Sequence, residues 1–174
     1  AYRKLTTQRL FDALLKTLEI SVLILFLVAA SNFFGAVFSR LGTPTMITEF
    51  LLAWDLSPMM VLIIILAFIF LLGWPLEWVP IVLIILPILI PVLVKLDVNL
   101  TWFGILVAVN LQTAWLSPPV ALSAYFLKGV VPEWDLKDIY LGMMQFMVIQ
   151  LIGLALIFMF PQIALWLPTY IYGQ

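Results

Sequence analysis

Asn110-Leu-Gln-Thr113-Ala-Trp-Leu-Ser117-Pro118-Pro119-Val-Ala121 interrupts an apolar run with an amide cluster and two consecutive prolines. Each proline removes a backbone N–H and leaves a carbonyl without its helical partner. Hydrocarbon offers no hydrogen bonds to such carbonyls, so the break is tolerable only where protein, water or a bound ion satisfies them. The stretch therefore reads as the interruption of a discontinuous membrane helix at a binding site.

The surrounding chain demands a membrane. Of its 174 residues 66% are hydrophobic and 10% charged, and the mean hydropathy is +1.23, too little polar surface for a water-soluble domain of this size. Long runs of Leu, Ile, Val and Phe without polar/apolar alternation predict helices, not barrel strands. With no cysteine and no histidine, thiol chemistry, disulfides, Cys/His zinc sites, haem and catalytic triads are excluded. No nucleophile and base are placed together, so the chain is not read as an enzyme. A net charge of −1 with no basic patch gives no sign of nucleic acid. The first residue, Ala1, has no signal peptide after it, which suggests a fragment or a trimmed chain.

Outward from the break, the sequence predicts eight segments. Residues 1–17, with Arg3, Lys4, Arg9 and Lys16, form a basic amphipathic or flanking cytoplasmic segment. Residues 18–38 are apolar and, at ~1.5 Å per residue, long enough to cross a ~30 Å core. Residues 43–55 form a short interfacial helix. Residues 57–94 hold two short apolar arms joined by Gly73-Trp-Pro75-Leu-Glu77-Trp-Val-Pro80, so they form a re-entrant hairpin with its tip at 73–80. Two tilted spans joined at the far surface are the alternative, which Trp74 and Trp78 would suit. Glu77 is the only ionisable residue between Asp55 and Lys95, and a buried tip would oblige it to find a partner. Pro87 and Pro91 should bend the returning arm. Residues 101–127, capped by Thr101, form the broken transmembrane helix; 128–141 a cytoplasmic loop with Asp135 as a helix cap; 142–160 a last span; and 161–174 an interfacial anchor with Trp166, Tyr170 and Tyr172. This topology puts Arg3, Lys4, Arg9, Lys16, Lys128 and Lys137 inside, with Arg40 and Lys95 outside, in keeping with the positive-inside rule.

A hairpin with a Gly/Pro tip followed by a helix broken at Ser-Pro-Pro is the element pair expected of one half of a secondary transporter, where released carbonyls and hydroxyls coordinate an ion. Gly73 with Glu77 and Pro80, then Pro87 and Pro91, Asn110 to Ala121 and Trp166-Leu-Pro168 together resemble the large membrane subunit of tripartite ATP-independent periplasmic (TRAP) transporters, in its C-terminal half, through nearly the whole chain. The family's broken helix reads Asn-x-x-x-Gly-x-x-Thr-Pro-Pro-x-Gly. Here Asn110, Pro118 and Pro119 match, Ser117 keeps a hydroxyl in place of Thr, and both glycines are alanine, Ala114 and Ala121. Alanine keeps the carbonyl, but a left-handed backbone there would carry a cost.

The resemblance implies an all-α integral membrane fold: one inverted-repeat half of an elevator-type secondary transporter in the bacterial inner membrane. It further implies uptake of a small organic anion, usually a carboxylate, driven by sodium as coupling ion and without other cofactors. The partners would be a periplasmic substrate-binding protein, a small membrane subunit and the missing N-terminal half of the large subunit. Carried over residue by residue, the sodium site would draw on Gly73, Ala114, Ser117 and Val120. Asn110, Thr113, Pro118 and Pro119 would brace the break or approach substrate, and Glu77 would orient the hairpin tip, since a carboxylate repels an anion. A non-transporting membrane scaffold, in which the prolines make only a kink, is the competing reading.

Overall fold

The computed structural model describes residues 6–76, 78–118 and 121–173, and for Leu52 the backbone only. Ala1, Arg3, Lys4, Glu77, Pro119 and Val120, named above, lie outside the described residues. Those described are overwhelmingly helical, and the chain divides into two units, Ala1–Gly42 and Thr43–Gln174.

The first unit is a single helix, α1 (Thr7–Arg40). The surface segment expected at 1–17 and the span expected at 18–38 are thus continuous from Thr7 onward. Nothing between them could break a helix: Leu, Ala, Lys and Glu are good helix formers, and no Gly or Pro intervenes before Gly35. Thr6 caps the start, its hydroxyl accepting from the Arg9 N–H at 3.3 Å. Gly42 closes the end at φ +72°, the left-handed position that glycine takes without a Cβ penalty.

In the second unit α2 (Thr43–Leu52) packs on the later helix Leu86–Lys95 and buries Thr48, whose hydroxyl donates to the Pro44 carbonyl at 2.7 Å. Asp55 then turns the chain at φ +50°, a conformation Asp tolerates better than most residues. Helix α3 (Pro58–Leu72) opens on Ser57, which accepts from the Met60 N–H at 3.4 Å, with Pro58 where a missing N–H costs nothing. After a turn at 73–76 come α4 (Trp78–Pro80), a π-helical turn (Ile81–Ile85) and α5 (Leu86–Lys95). Together they make one apolar rod, Trp78–Lys95, of 18 residues. The prolines do not interrupt it. The Leu86 N–H reaches back to the Ile81 carbonyl, and this wider π turn absorbs the bulk that Pro87 brings.

Helix α6 (Leu100–Leu111) is capped by Asn99, not Thr101: the Asn99 side chain accepts from the Trp102 N–H at 2.9 Å. Asparagine reaches that amide while the preceding turn, with Asp97 at φ +54°, holds it outside the helix. A 3-10 turn (Gln112–Trp115) follows, then the irregular stretch containing Ser117 and Pro118, then α7 (Leu122–Val130). The loop expected at 128–141 shrinks to 131–135. The Lys128 ammonium donates to the Pro132 and Trp134 carbonyls, and Asp135 caps α8 (Leu136–Met159) by accepting from the Lys137 N–H at 2.9 Å. Pro161 separates α8 from α9 (Gln162–Tyr172).

Two buried stripes build the core. Val61, Leu62, Ile65, Leu66 and Ile69 on α3 meet Trp102, Phe103, Leu106, Val107 and Leu111 on α6, with Val92 and Leu93 of α5 against them. Each stripe follows the three-to-four residue helical repeat. A smaller cluster, Ala121, Ala124, Ile139 and Met143, joins α7 to α8. Among the described residues, three helices are long and apolar enough to cross a membrane, Thr7–Arg40, Trp78–Lys95 and Leu136–Met159; Pro58–Leu72 and Leu100–Trp115 are shorter.

Candidate functional site

Three side chains fasten α6 to its neighbours by donating to backbone carbonyls. At its first turn the Trp102 indole N–H reaches the Ile157 carbonyl of α8 at 3.0 Å. That carbonyl would ordinarily receive the N–H four residues on, which is Pro161 and has none. Near its other end Asn110 Nδ2 donates to the Leu66 carbonyl of α3 at 2.8 Å. Gln150 Nε2 of α8 donates both to the Val109 carbonyl, at 3.0 Å, and to Gln112 Oε1, at 2.8 Å.

Just beyond these ties the backbone changes from α to 3-10. The Thr113 hydroxyl donates to the Asn110 carbonyl at 2.6 Å, and the Thr113 carbonyl accepts from the N–H groups of both Leu116 (3.0 Å) and Ser117 (2.9 Å). Thr113 is therefore a brace, its proton committed within the turn. The Ser117 carbonyl accepts from the Ala121 N–H at 3.0 Å, closing the irregular stretch that holds Pro118. Ala121 sits at φ +29°, ψ +55°. The left-handed cost foreseen for the alanines thus falls on Ala121, whereas Ala114 lies inside the 3-10 turn.

The turn after α3 meets this interruption directly. Gly73 is buried with an ordinary φ of −62°. Its need for glycine is one of space: a Cβ there would stand 3.2 Å from Ala114 Cβ and 3.3 Å from the Phe70 carbonyl oxygen. Gly73 and Ala114, forty-one positions apart in sequence, thus lie too close together to admit a second Cβ without adjustment.

Among the described residues, two polar atoms at the interruption are buried with no hydrogen-bond partner, Asn110 Oδ1 and Ser117 Oγ. For Asn110 the assignment follows from chemistry, because only the amide nitrogen can face the Leu66 carbonyl, which leaves the oxygen on the other side. Both orphans can accept a hydrogen bond or ligate a cation, and burial without either is costly. Among the described residues no group of three or more His, Cys, Asp or Glu gathers to hold a metal. The two orphan atoms are neutral oxygens, of the kind that suits a hard cation better than a soft one.

Beside the 3-10 turn opens a cleft of about 660 Å³, bordered by Trp78, Leu86, Val107, Gln112, Trp115 and Gln150 among others, apolar apart from its amides and the Ser123 hydroxyl. Gln150 lies outside the motif that the sequence singled out. The only signal was an amide inside a span; that it pairs with Gln112 and Val109 depends on how α8 packs.

A family model described as "Tripartite ATP-independent periplasmic transporter, DctM component" matches residues 1–163. The chain is 26% identical over 168 residues to the sialic acid TRAP transporter permease protein of Haemophilus influenzae, covering 97% of this chain and 27% of that protein. It is 28% identical over 177 residues to the sialic acid TRAP transporter large permease protein of Vibrio cholerae, covering 99% and 41%. It is 29% identical over 168 residues to the C4-dicarboxylate TRAP transporter large permease protein of Rhodobacter capsulatus, covering 97% and 38%. The chain thus spans less than half the length of these relatives. With a family match over nearly all its length and three helices apolar enough to span, the chain belongs to the large permease family of TRAP transporters and is an integral protein of the bacterial inner membrane.

Proposed function

We propose that this chain is the C-terminal half of the large permease of a sodium-coupled TRAP transporter that takes up a small organic anion, a carboxylate. The observation that carries this is the meeting of Gly73 with Ala114 beside the buried, unpartnered Ser117 Oγ and Asn110 Oδ1. A sodium ion needs several oxygen ligands without surrounding charge, and the interruption supplies a hydroxyl, an amide oxygen and backbone carbonyls. In this reading residues 57–94 are a re-entrant hairpin, α6 and α7 are two parts of one broken transmembrane helix, and the ion sits where the hairpin tip meets the break. Ser117 Oγ is a direct ligand, backbone at Gly73, Ala114 and Val120 completes the shell, and Thr113 and the two prolines hold its shape.

A periplasmic binding protein delivers the substrate, a small membrane subunit braces the assembly, and an N-terminal half supplies the second hairpin and break. The site then crosses the membrane by an elevator movement. Membership in a permease family favours transport over a passive scaffold. Relatives named for sialic acid and C4-dicarboxylates take carboxylates and one named for isethionate takes a sulfonate, so a small organic anion is the class they share and the carboxylate is the commoner form. The test is uptake of labelled organic acids into liposomes holding the intact complex, with its binding protein outside. Uptake that appears with an inward sodium gradient and vanishes when potassium replaces sodium is expected; uptake of the same rate without sodium would overturn the coupling.

A further inference from the structure

We infer that Gln150 of α8, through its paired hydrogen bonds to Val109 and Gln112, is a positioning residue that sets the affinity of the proposed sodium site. The inference rests on that functional reading but names a residue outside the broken-helix motif.

An α-helix pairs each carbonyl with the N–H four residues on, whereas a 3-10 turn pairs it three residues on. Where one becomes the other, a carbonyl at the junction is passed over. Val109 stands at that junction, four residues before Thr113, the second residue of the 3-10 turn Gln112–Trp115. Gln150 Nε2 donates to the Val109 carbonyl at 3.0 Å and to Gln112 Oε1 at 2.8 Å, so one amide satisfies the last α-helical turn and grips the first 3-10 residue. In hydrocarbon no water can replace that donor.

The grip matters because everything offered to the ion follows it within one or two turns. Thr113 fixes Asn110 from within the turn, the Thr113 carbonyl fixes Ser117, and the Ser117 carbonyl fixes Ala121. Among the described residues, the hydrogen bonds that tie this junction to α8 are those of Gln150. Loss of Gln150 frees Val109 to draw Thr113 back into an α turn. That would rotate Ala114 against Gly73, where the fit is already close, and carry Ser117 Oγ with it. Gln150 touches no ion in this account; it acts by holding the phase of the turn.

The experiment is a sodium titration of thermal unfolding on the intact purified complex, wild type against Q150L, Q112L and the double variant, with Q145L as control. Gln145 is exposed on the same helix. For Q150L the half-saturating sodium concentration should rise about three- to tenfold, the size of one or two lost hydrogen bonds. Q112L, at an exposed position, should shift it less, and Q112L with Q150L should fall short of the sum because the two share one bond. Q145L should leave it unchanged. A merely structural role would lower the unfolding temperature of Q150L without sodium while leaving the sodium midpoint alone, and that outcome overturns the inference. If Q150L does not assemble, Q112L decides: a raised midpoint supports the clamp and an unchanged one overturns it. A wild-type complex that sodium does not protect overturns the sodium reading itself, and the clamp with it.

Discussion

Ser117 carries a hydroxyl that is fully buried and has no hydrogen-bond partner among the described residues. In an empty site that hydroxyl is a liability of about 1–3 kcal/mol. Ser117→Ala should therefore leave the sodium-free complex as stable as wild type or more so, while abolishing protection by sodium; a purely structural serine would give the opposite sign in sodium-free buffer. Ala121 makes a second residue-scale prediction. Its φ of +29° imposes a Cβ penalty that glycine does not have, about 1–2 kcal/mol against about 0.5–1 kcal/mol of added chain entropy. Ala121→Gly should raise the unfolding temperature modestly, as differential scanning fluorimetry would register. The alanine could be identified in the sequence as a departure from the family pattern, but which of Ala114 and Ala121 would bear the strain could not. That depends on where the 3-10 turn ends.

At the scale of elements, the contact between the turn after α3 and the 3-10 turn after α6 is tight enough to test. Gly73→Ala pushes a methyl to 3.2 Å from Ala114 Cβ, and overpacking of this kind costs about 1–3 kcal/mol. Combining it with Ala114→Gly should recover part of the loss in thermal stability, because the second change removes the atom struck. The tie between α6 and α8 gives another test. Trp102→Phe keeps an aromatic ring against Phe158 but strips the donor from the Ile157 carbonyl, which Pro161 already leaves unmatched. A loss of about 1–3 kcal/mol is expected from that orphaned carbonyl, readable as a lower unfolding temperature. Helix identity was legible throughout, since apolar runs and caps such as Ser57 and Asp135 are local. Extents were less so. Trp78–Lys95 runs on through Pro87 because a π turn just before it takes up that residue's bulk, and periodicity does not signal a π turn. Thr7–Arg40 stays unbroken because its basic start contains nothing that stops a helix.

Over the whole molecule, long-range pairings assemble the candidate site: Gly73 with Ala114, Asn110 with Leu66, Gln150 with Val109 and Gln112. In each pair one side, Ala114, Asn110, or Gln112 with Val109, belongs to the stretch Asn110 to Ala121 or adjoins it; Gly73 was expected from the resemblance, whereas Leu66 of α3 and the pairing of Gln150 of α8 could be found only by folding the chain. The large exposed apolar surface of α1 and α8, including Phe26, Phe33, Phe146 and Ile149, suits contact with lipid or with further transmembrane helices. The central claim is that a sodium ion occupies the meeting point of the hairpin tip and the broken helix. Its most direct test is the unfolding temperature of the intact complex titrated with sodium against a potassium background, wild type beside Ser117→Ala. The account predicts saturable protection by sodium in the wild type and none in the variant. Equal protection of both, or none of either, would contradict it.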